Sequence, residues 1–112
     1  VISSDPSTAG LLKPPRIEDL DPEAWIRDGQ LNVLIQVWTS GDFGILGVYV
    51  TIRDAEGNII ESGYALQNEI YMNHWGYIIE VDAGDYRTLT VQALVLDRLG
   101  GIGLQTKRTT VE

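Results

Sequence analysis

The sequence predicts an all-β fold, a sandwich or barrel of antiparallel strands, and three observations carry that expectation. Apolar residues recur with a period of two along most of the chain, the mark of strands with one buried face. These alternating runs return roughly every 8–15 residues, as in sandwiches and barrels. The intervals between them hold Gly, Asp, Asn and Ser, residues suited to turns. Hydrophobic residues are 44% and charged residues 21% of 112, which excludes wholesale disorder and supplies one core with no room for a second.

The first well-patterned run is Leu31–Trp38, with Leu31, Val33, Ile35 and Val37 on one face. Thr39–Asp42 reads as a turn, and Val48–Arg53 follows with Val48, Val50 and Ile52 sharing a face. Asp54–Asn58 is a hairpin loop in which Gly57 supplies positive φ, and Ile59-Ile60 begins the return strand. Residues 62–74 are weakly patterned, and a short strand is expected near Ser62–Leu66 before an irregular loop. Alternation resumes with Trp75, Tyr77, Ile79 and Val81, and Asp82–Asp85 is a turn. The longest strand runs from Thr88 to Leu96 with Leu89, Val91, Ala93 and Val95 on one side. Gly100, Gly101 and Gly103 reverse the chain into a last strand, Leu104–Val111, rich in Thr and Val.

Two segments leave alternatives. Asp21–Gly29 offers Asp as N-cap, Pro in the first turn and Gly past the end, which suits a single-turn helix. It equally suits a kinked edge strand, where proline is tolerated. Residues 1–14, with Ser3, Ser4, Pro6, Ser7, Gly10 and Pro14, have the composition of a linker or flexible leader, leaving 15–112 as the domain. The chain starts at Val1 without a signal-like apolar stretch and reads as a piece of a longer protein.

Eight basic against 16 acidic residues give a net charge of −8, which repels phosphate backbones and anionic lipid surfaces. Neither nucleic-acid binding nor membrane insertion is expected, since no apolar run approaches the ~20 residues needed to span a bilayer. Cysteine is absent, so disulfides, cysteine-bound zinc and cysteine nucleophiles are excluded. The single histidine, His74, lies opposite in parity to the inward residues and is expected at the surface. No GxSxG, P-loop or GxGxxG pattern occurs, and no catalytic site, cofactor or metal is expected. Asp54, Asp82 and Asp85 at one end, and Asp42 and Asp97 at the other, have the oxygen chemistry of calcium ligands. No DxDxDG loop is present, however, and they read as ordinary turn carboxylates.

The order of elements resembles the bacterial immunoglobulin-like domains found in tandem on secreted and surface proteins. Pro14-Pro15-Arg16-Ile17 is similar to their start of strand A, and Asp21-Pro22 to the break between A and A′. Gly44–Val50 resembles the opening of strand C, Asp54–Asn58 the following hairpin, and Trp75-Gly76-Tyr77 the start of strand E. Ala83–Tyr86 is similar to the corner before strand F, and Val91 through Asp97 with Gly100 to the run into strand G. Tyr86 departs from the pattern, because its parity differs from that of Leu89, Val91 and Ala93. The Cys…Trp…Cys signature of antibody-type domains is missing. The resemblance implies an immunoglobulin-like antiparallel β-sandwich of about seven strands, Greek-key in type, with a kinked strand at 21–29 and an extracellular or cell-surface setting.

The core expected from parity is Ile17, Leu31, Val33, Ile35, Val37, Val48, Val50, Ile52, Trp75, Tyr77, Ile79, Val81, Leu89, Val91, Ala93 and Val95. Tyr49, Leu94 and Leu96 should point outward as an apolar contact surface, with Leu11 and Leu12 or an adjacent domain as candidate covers. Trp38 is also outward, as a contact residue or a sugar-stacking platform. The function expected is a non-catalytic structural or protein-interaction module, partnered by another protein, a neighbouring domain or a second copy. A carbohydrate-binding module attached to an enzyme is the alternative.

Overall fold

The computed structural model describes residues 13–41 and 43–112, so the leader through Leu12, and Asp42, lie outside the described residues. Eight strands follow in chain order: β1 Arg16–Arg27, β2 Gln30–Ser40, β3 Ile45–Arg53, β4 Ile59–Tyr64, β5 Leu66–Gln67, β6 His74–Asp82, β7 Thr88–Asp97 and β8 Ile102–Thr110. They form two four-stranded antiparallel sheets, ordered β1-β2-β6-β5 and β4-β3-β7-β8. The chain crosses between sheets after β2, β4 and β6, which is the Greek-key connectivity of an immunoglobulin-like sandwich. The strand beyond the seven expected is the two-residue β5.

The inner faces explain the packing. Leu31, Val33, Ile35 and Val37 of β2 meet Val48, Val50 and Ile52 of β3 and the odd-numbered residues Leu89–Val95 of β7, all buried. Trp75 and Ile79 of β6 join them. Each such aliphatic contributes about 1.5–3 kcal/mol relative to exposure, so the fold needs no disulfide. Ile17, Tyr77 and Val81 pack against this core while only partly buried.

Three differences from the sequence expectation have local causes. Residues 21–27 are strand, and no kink falls at Asp21-Pro22; the irregularity is a bulge at Glu18, between the pairs Ile17↔Thr39 and Asp19↔Trp38. The extra residue reverses parity, so Ile17 faces inward before it and Leu20, Pro22 and Ala24 after it. Leu20 and Ala24 thereby become core residues that parity alone assigns elsewhere. Pro22 is tolerated because β1 is an edge strand.

Asp28 and Gly29 both have positive φ, 54° and 75°, and connect Arg27 to Gln30 as a two-residue hairpin. That is type I′ geometry, which Asp-Gly favours. The return strand expected to begin at Ile59-Ile60 runs on through Tyr64 and takes up most of the short strand expected near Ser62–Leu66, after which Ala65 carries the chain to β5 in the other sheet. Tyr86 does pack against the core. Residues 83–87 lie between strands, so strand parity does not govern where its ring points.

One side of the sandwich is closed by backbone. Ile26 donates to the Glu112 carbonyl at 3.1 Å, and Glu112 donates to Ala24 at 3.0 Å. Ala24 and Val111 thus form a parallel bridge between a strand of one sheet and the end of the other. The chain enters where Arg16 pairs with Ser40 and leaves beside Ala24 and Ile26, near the Arg27–Gln30 turn. Entrance and exit therefore sit at opposite ends of the sandwich.

Candidate functional site

The outer face of the β4-β3-β7-β8 sheet is built of cross-strand rows. Tyr49 pairs with Tyr64 on β4 and with Leu94 on β7, and Leu94 pairs with Leu104 on β8. In the next row Gly47 pairs with Leu96, and Leu96 with Ile102. A bulge at Leu46, between the pairs Ile45↔Asp97 and Gly47↔Leu96, adds an exposed leucine beside this row. The structure thus brings together Tyr49, Leu94 and Leu96, all expected at the surface, and adds Leu46, Tyr64, Ile102 and Leu104.

A depression of about 540 Å³ opens between Leu46, Tyr49, Tyr64, Leu94 and Leu96, with Gly47 at its floor. The Tyr64 ring lies 3.6 Å from where a Gly47 Cβ would sit, so a side chain there would begin to fill the hollow. The two tyrosine rings meet edge to face, centroids 5.0 Å apart at 76°, and the Tyr49 hydroxyl donates to Ser62 Oγ at 3.0 Å. Beyond this apolar half the same face turns polar. Thr51–Gln92–Thr106 and Arg53–Thr90–Arg108 form its remaining rows.

None of these outward positions carries a carboxylate, although the chain has 16 acidic residues. Acidic side chains gather on the opposite sheet, where Asp19, Asp21 and Glu23 of β1 and Glu80 and Asp82 of β6 are exposed. Glu61 of β4 pairs with buried Ile52, which places it on the inward side. There it acts with burial to hold the Tyr77 hydroxyl above its ordinary pKa, burial being the larger cause. Glu18, at the β1 bulge, is held below the usual carboxylate range by a hydrogen bond from Ser40 and then by Arg16.

Trp38 does not belong to the apolar face. It lies on β2 of the other sheet, where its indole stacks on His74, centroids 4.2 Å apart at 29°. Side chains stand off a sheet and stack across strands, so the ring face turned toward β6 is covered by imidazole. His74 begins β6 half-buried, with Nε2 3.1 Å from Gln36 Oε1. This is the surface histidine that strand parity implies, occupied by ring stacking and an amide.

The turn carboxylates organise backbone. Asp97 Oδ1 accepts from the Leu99 and Gly101 amides at 2.9 and 2.8 Å, and Asp54 Oδ1 accepts from Glu56 and Asn58 at 3.0 and 2.9 Å. Among the described residues no three His, Asp or Glu side chains group as a metal site requires. Among those residues, too, no helix is long and apolar enough to cross a membrane.

Tyr64 is hidden from sequence reasoning because it lies within the weakly patterned stretch 62–74, and Leu104 because alternation marks it only as the start of a strand. The rows themselves need the register. Pairing partners across β3, β7 and β8 do not follow from any one strand's alternation.

No protein-family model matches the sequence, and no curated protein shows significant similarity to it. Solved structures share its fold. A Bifidobacterium dentium β-glucuronidase, complexed with coumarin-3-O-glucuronide, superposes over 88% of this chain with a TM-score of 0.70 and 16% identity. The Ruminococcus gnavus β-glucuronidase superposes over 88% with a TM-score of 0.63 and 15% identity. This chain spans only 18% and 16% of those two proteins. CopC from Methylosinus trichosporium OB3b, 93% of whose length is covered, matches 88% of this chain with a TM-score of 0.58 and 14% identity. The likeness is therefore one of fold, a β-sandwich that occurs both as a small part of large glycosidases and as nearly the whole of a short protein.

Proposed function

We propose that this chain is a non-catalytic immunoglobulin-like module of a larger bacterial protein, serving as a structural spacer and protein-contact element at the cell surface or outside it. The observation that carries this reading is the placement of chain entrance and exit at opposite ends of the sandwich. A domain threaded end to end extends a chain in series, and β1, spanning Arg16–Arg27, sets a length of about 40 Å at strand rise. A similar sandwich makes up under a fifth of each β-glucuronidase chain, and this supports the same reading by analogy of fold. The apolar sheet face supplies the contact surface.

The competing reading, carbohydrate recognition, makes its own demand. Sugar rings stack on open aromatic faces, and Trp38 has the His74 ring against one of its faces. The test is a proton–nitrogen NMR spectrum recorded while soluble polysaccharides are added, following the indole signals of Trp25, Trp38 and Trp75. All three are expected to stay in place. A selective, saturable shift of Trp38 overturns the spacer reading in favour of carbohydrate recognition.

A further inference from the structure

We infer that the β4-β3-β7-β8 face is a homodimer interface, in which two copies of this chain meet apolar half to apolar half. The inference rests on the protein-contact reading above and names the partner. Three features single out a second copy.

The first is charge. Two chains of net charge −8 repel, and any contact using the acidic sheet would press Asp19, Asp21, Glu23, Glu80 and Asp82 against the partner. The β4-β3-β7-β8 face has no outward carboxylate on its strands. A pair joined through it keeps the two acidic sheets on the outside, a sandwich thickness removed from the contact and separated by more than a Debye length of about 8 Å at physiological salt.

The second is shape. The hollow over Gly47 lies on the β3 side of β7, and the ridge of Ile102 and Leu104, 56% and 54% exposed, lies on the β8 side. A two-fold axis between the sheets and along β7 exchanges these sides. It sets each copy's ridge over the other copy's hollow, the self-complementarity that an isologous interface demands. Aligned sheet packing turns the two sheets by about 30°, which splays the Arg53 and Arg108 ends apart into solvent.

The third is size. At strand spacing the face measures about 20 Å across four strands and about 20 Å along its rows. That is about 400 Å² per copy, and even with side-chain relief the pair falls among weak, transient interfaces of under about 1,200 Å² in total. The dimer is consequently concentration-dependent, and salt tightens it by screening the repulsion between like-charged copies.

The experiment is sedimentation equilibrium of the full chain from about 10 µM to 1 mM, a range set by micromolar-to-millimolar association, with proton–nitrogen spectra across the same dilution series. Expected are a monomer–dimer equilibrium, tightening several-fold between low and high salt, and dilution shifts confined to amides around Gly47, Tyr49, Leu94 and Leu104. Leu104→Glu, at an exposed position that leaves the core intact, should weaken association more than tenfold. Ile78→Glu, on the acidic sheet, should not. A monomer throughout the range overturns the proposal, as does association that survives Leu104→Glu or weakens with salt. If only a chain lacking residues 1–12 dimerises, the leader is the occupant and the proposal is likewise overturned. A monomer leaves the spacer reading standing, whereas a Trp38 response to polysaccharide removes that reading independently.

Discussion

Thr39 shows how much a single hydroxyl settles. It is 2% exposed at the end of β2, accepts the Trp75 indole N–H at 3.1 Å and donates to the Asn73 carbonyl at 3.3 Å. A buried indole N–H without an acceptor costs about 1–3 kcal/mol. Thr39→Val keeps the shape and removes the oxygen, so its urea midpoint should fall by that equivalent with an unchanged slope. Thr39→Ser should recover most of the loss, and equal destabilisation by both variants would show that the methyl matters and the hydrogen bond does not. At this scale the apolar outer face is partly legible in the sequence. Alternation within β3 and β7 suffices to turn Tyr49, Leu94 and Leu96 outward, but it carries no sign that Tyr64 stands edge-on to Tyr49.

At the scale of elements, one-residue irregularities control which side chains are buried. Because a strand's period is two, an extra residue flips everything beyond it. The Glu18 bulge is why Leu20 and Ala24 lie in the core, and the Leu46 bulge is why an additional leucine stands on the outer face. Neither bulge has a sequence mark as distinct as a turn's. The Asp28-Gly29 hairpin does have one, since both residues require positive φ. Nothing lies within 4 Å of a Cβ built on Gly29, so the penalty for a side chain there is conformational alone. Gly29→Ala should cost about 1–2 kcal/mol, the penalty of left-handed backbone for an alanine, measured by thermal or urea unfolding. Asp28→Asn, which tolerates the same region, should change stability by less than about 0.5 kcal/mol. Equal costs for the two would contradict the type I′ assignment.

Across the whole molecule, the sandwich is held shut by its core and by the bridge between its last residues and the far end of β1. The Ile26–Glu112 and Glu112–Ala24 hydrogen bonds tie the last residues to the first strand across the gap between sheets. Each net backbone hydrogen bond is worth about 0.5–1.5 kcal/mol, so a chain ending at Val111, which loses only the two bonds of Glu112, should lose about 1–3 kcal/mol. Hydrogen exchange should locate the loss. The Ile26 amide should become unprotected, while amides in the centres of β3 and β7 should follow only the fall in global stability. Uniform loss across all strands would mean that the closure acts on global cooperativity and not on β1. The segregation of charge is also a whole-molecule property, because residues distant in sequence share a face only after the strands pair.

The sequence by itself determined the class of fold, the inward residues of β2, β3 and β7, and the outward direction of Tyr49, Leu94 and Leu96. These follow from alternation and turn chemistry, which act between neighbours along the chain. It also excluded cysteine chemistry and made nucleic-acid binding electrostatically unfavourable through composition and net charge. Only the tertiary structure decided the register that aligns Tyr64, Tyr49, Leu94 and Leu104 in one row. It alone placed Trp38 on the other sheet against His74 and gathered the outward-facing strand carboxylates on that same side. The physical reason is that alternation records which face of a strand is buried, whereas neighbouring strands and the face they share are chosen by pairing and packing over long stretches of chain.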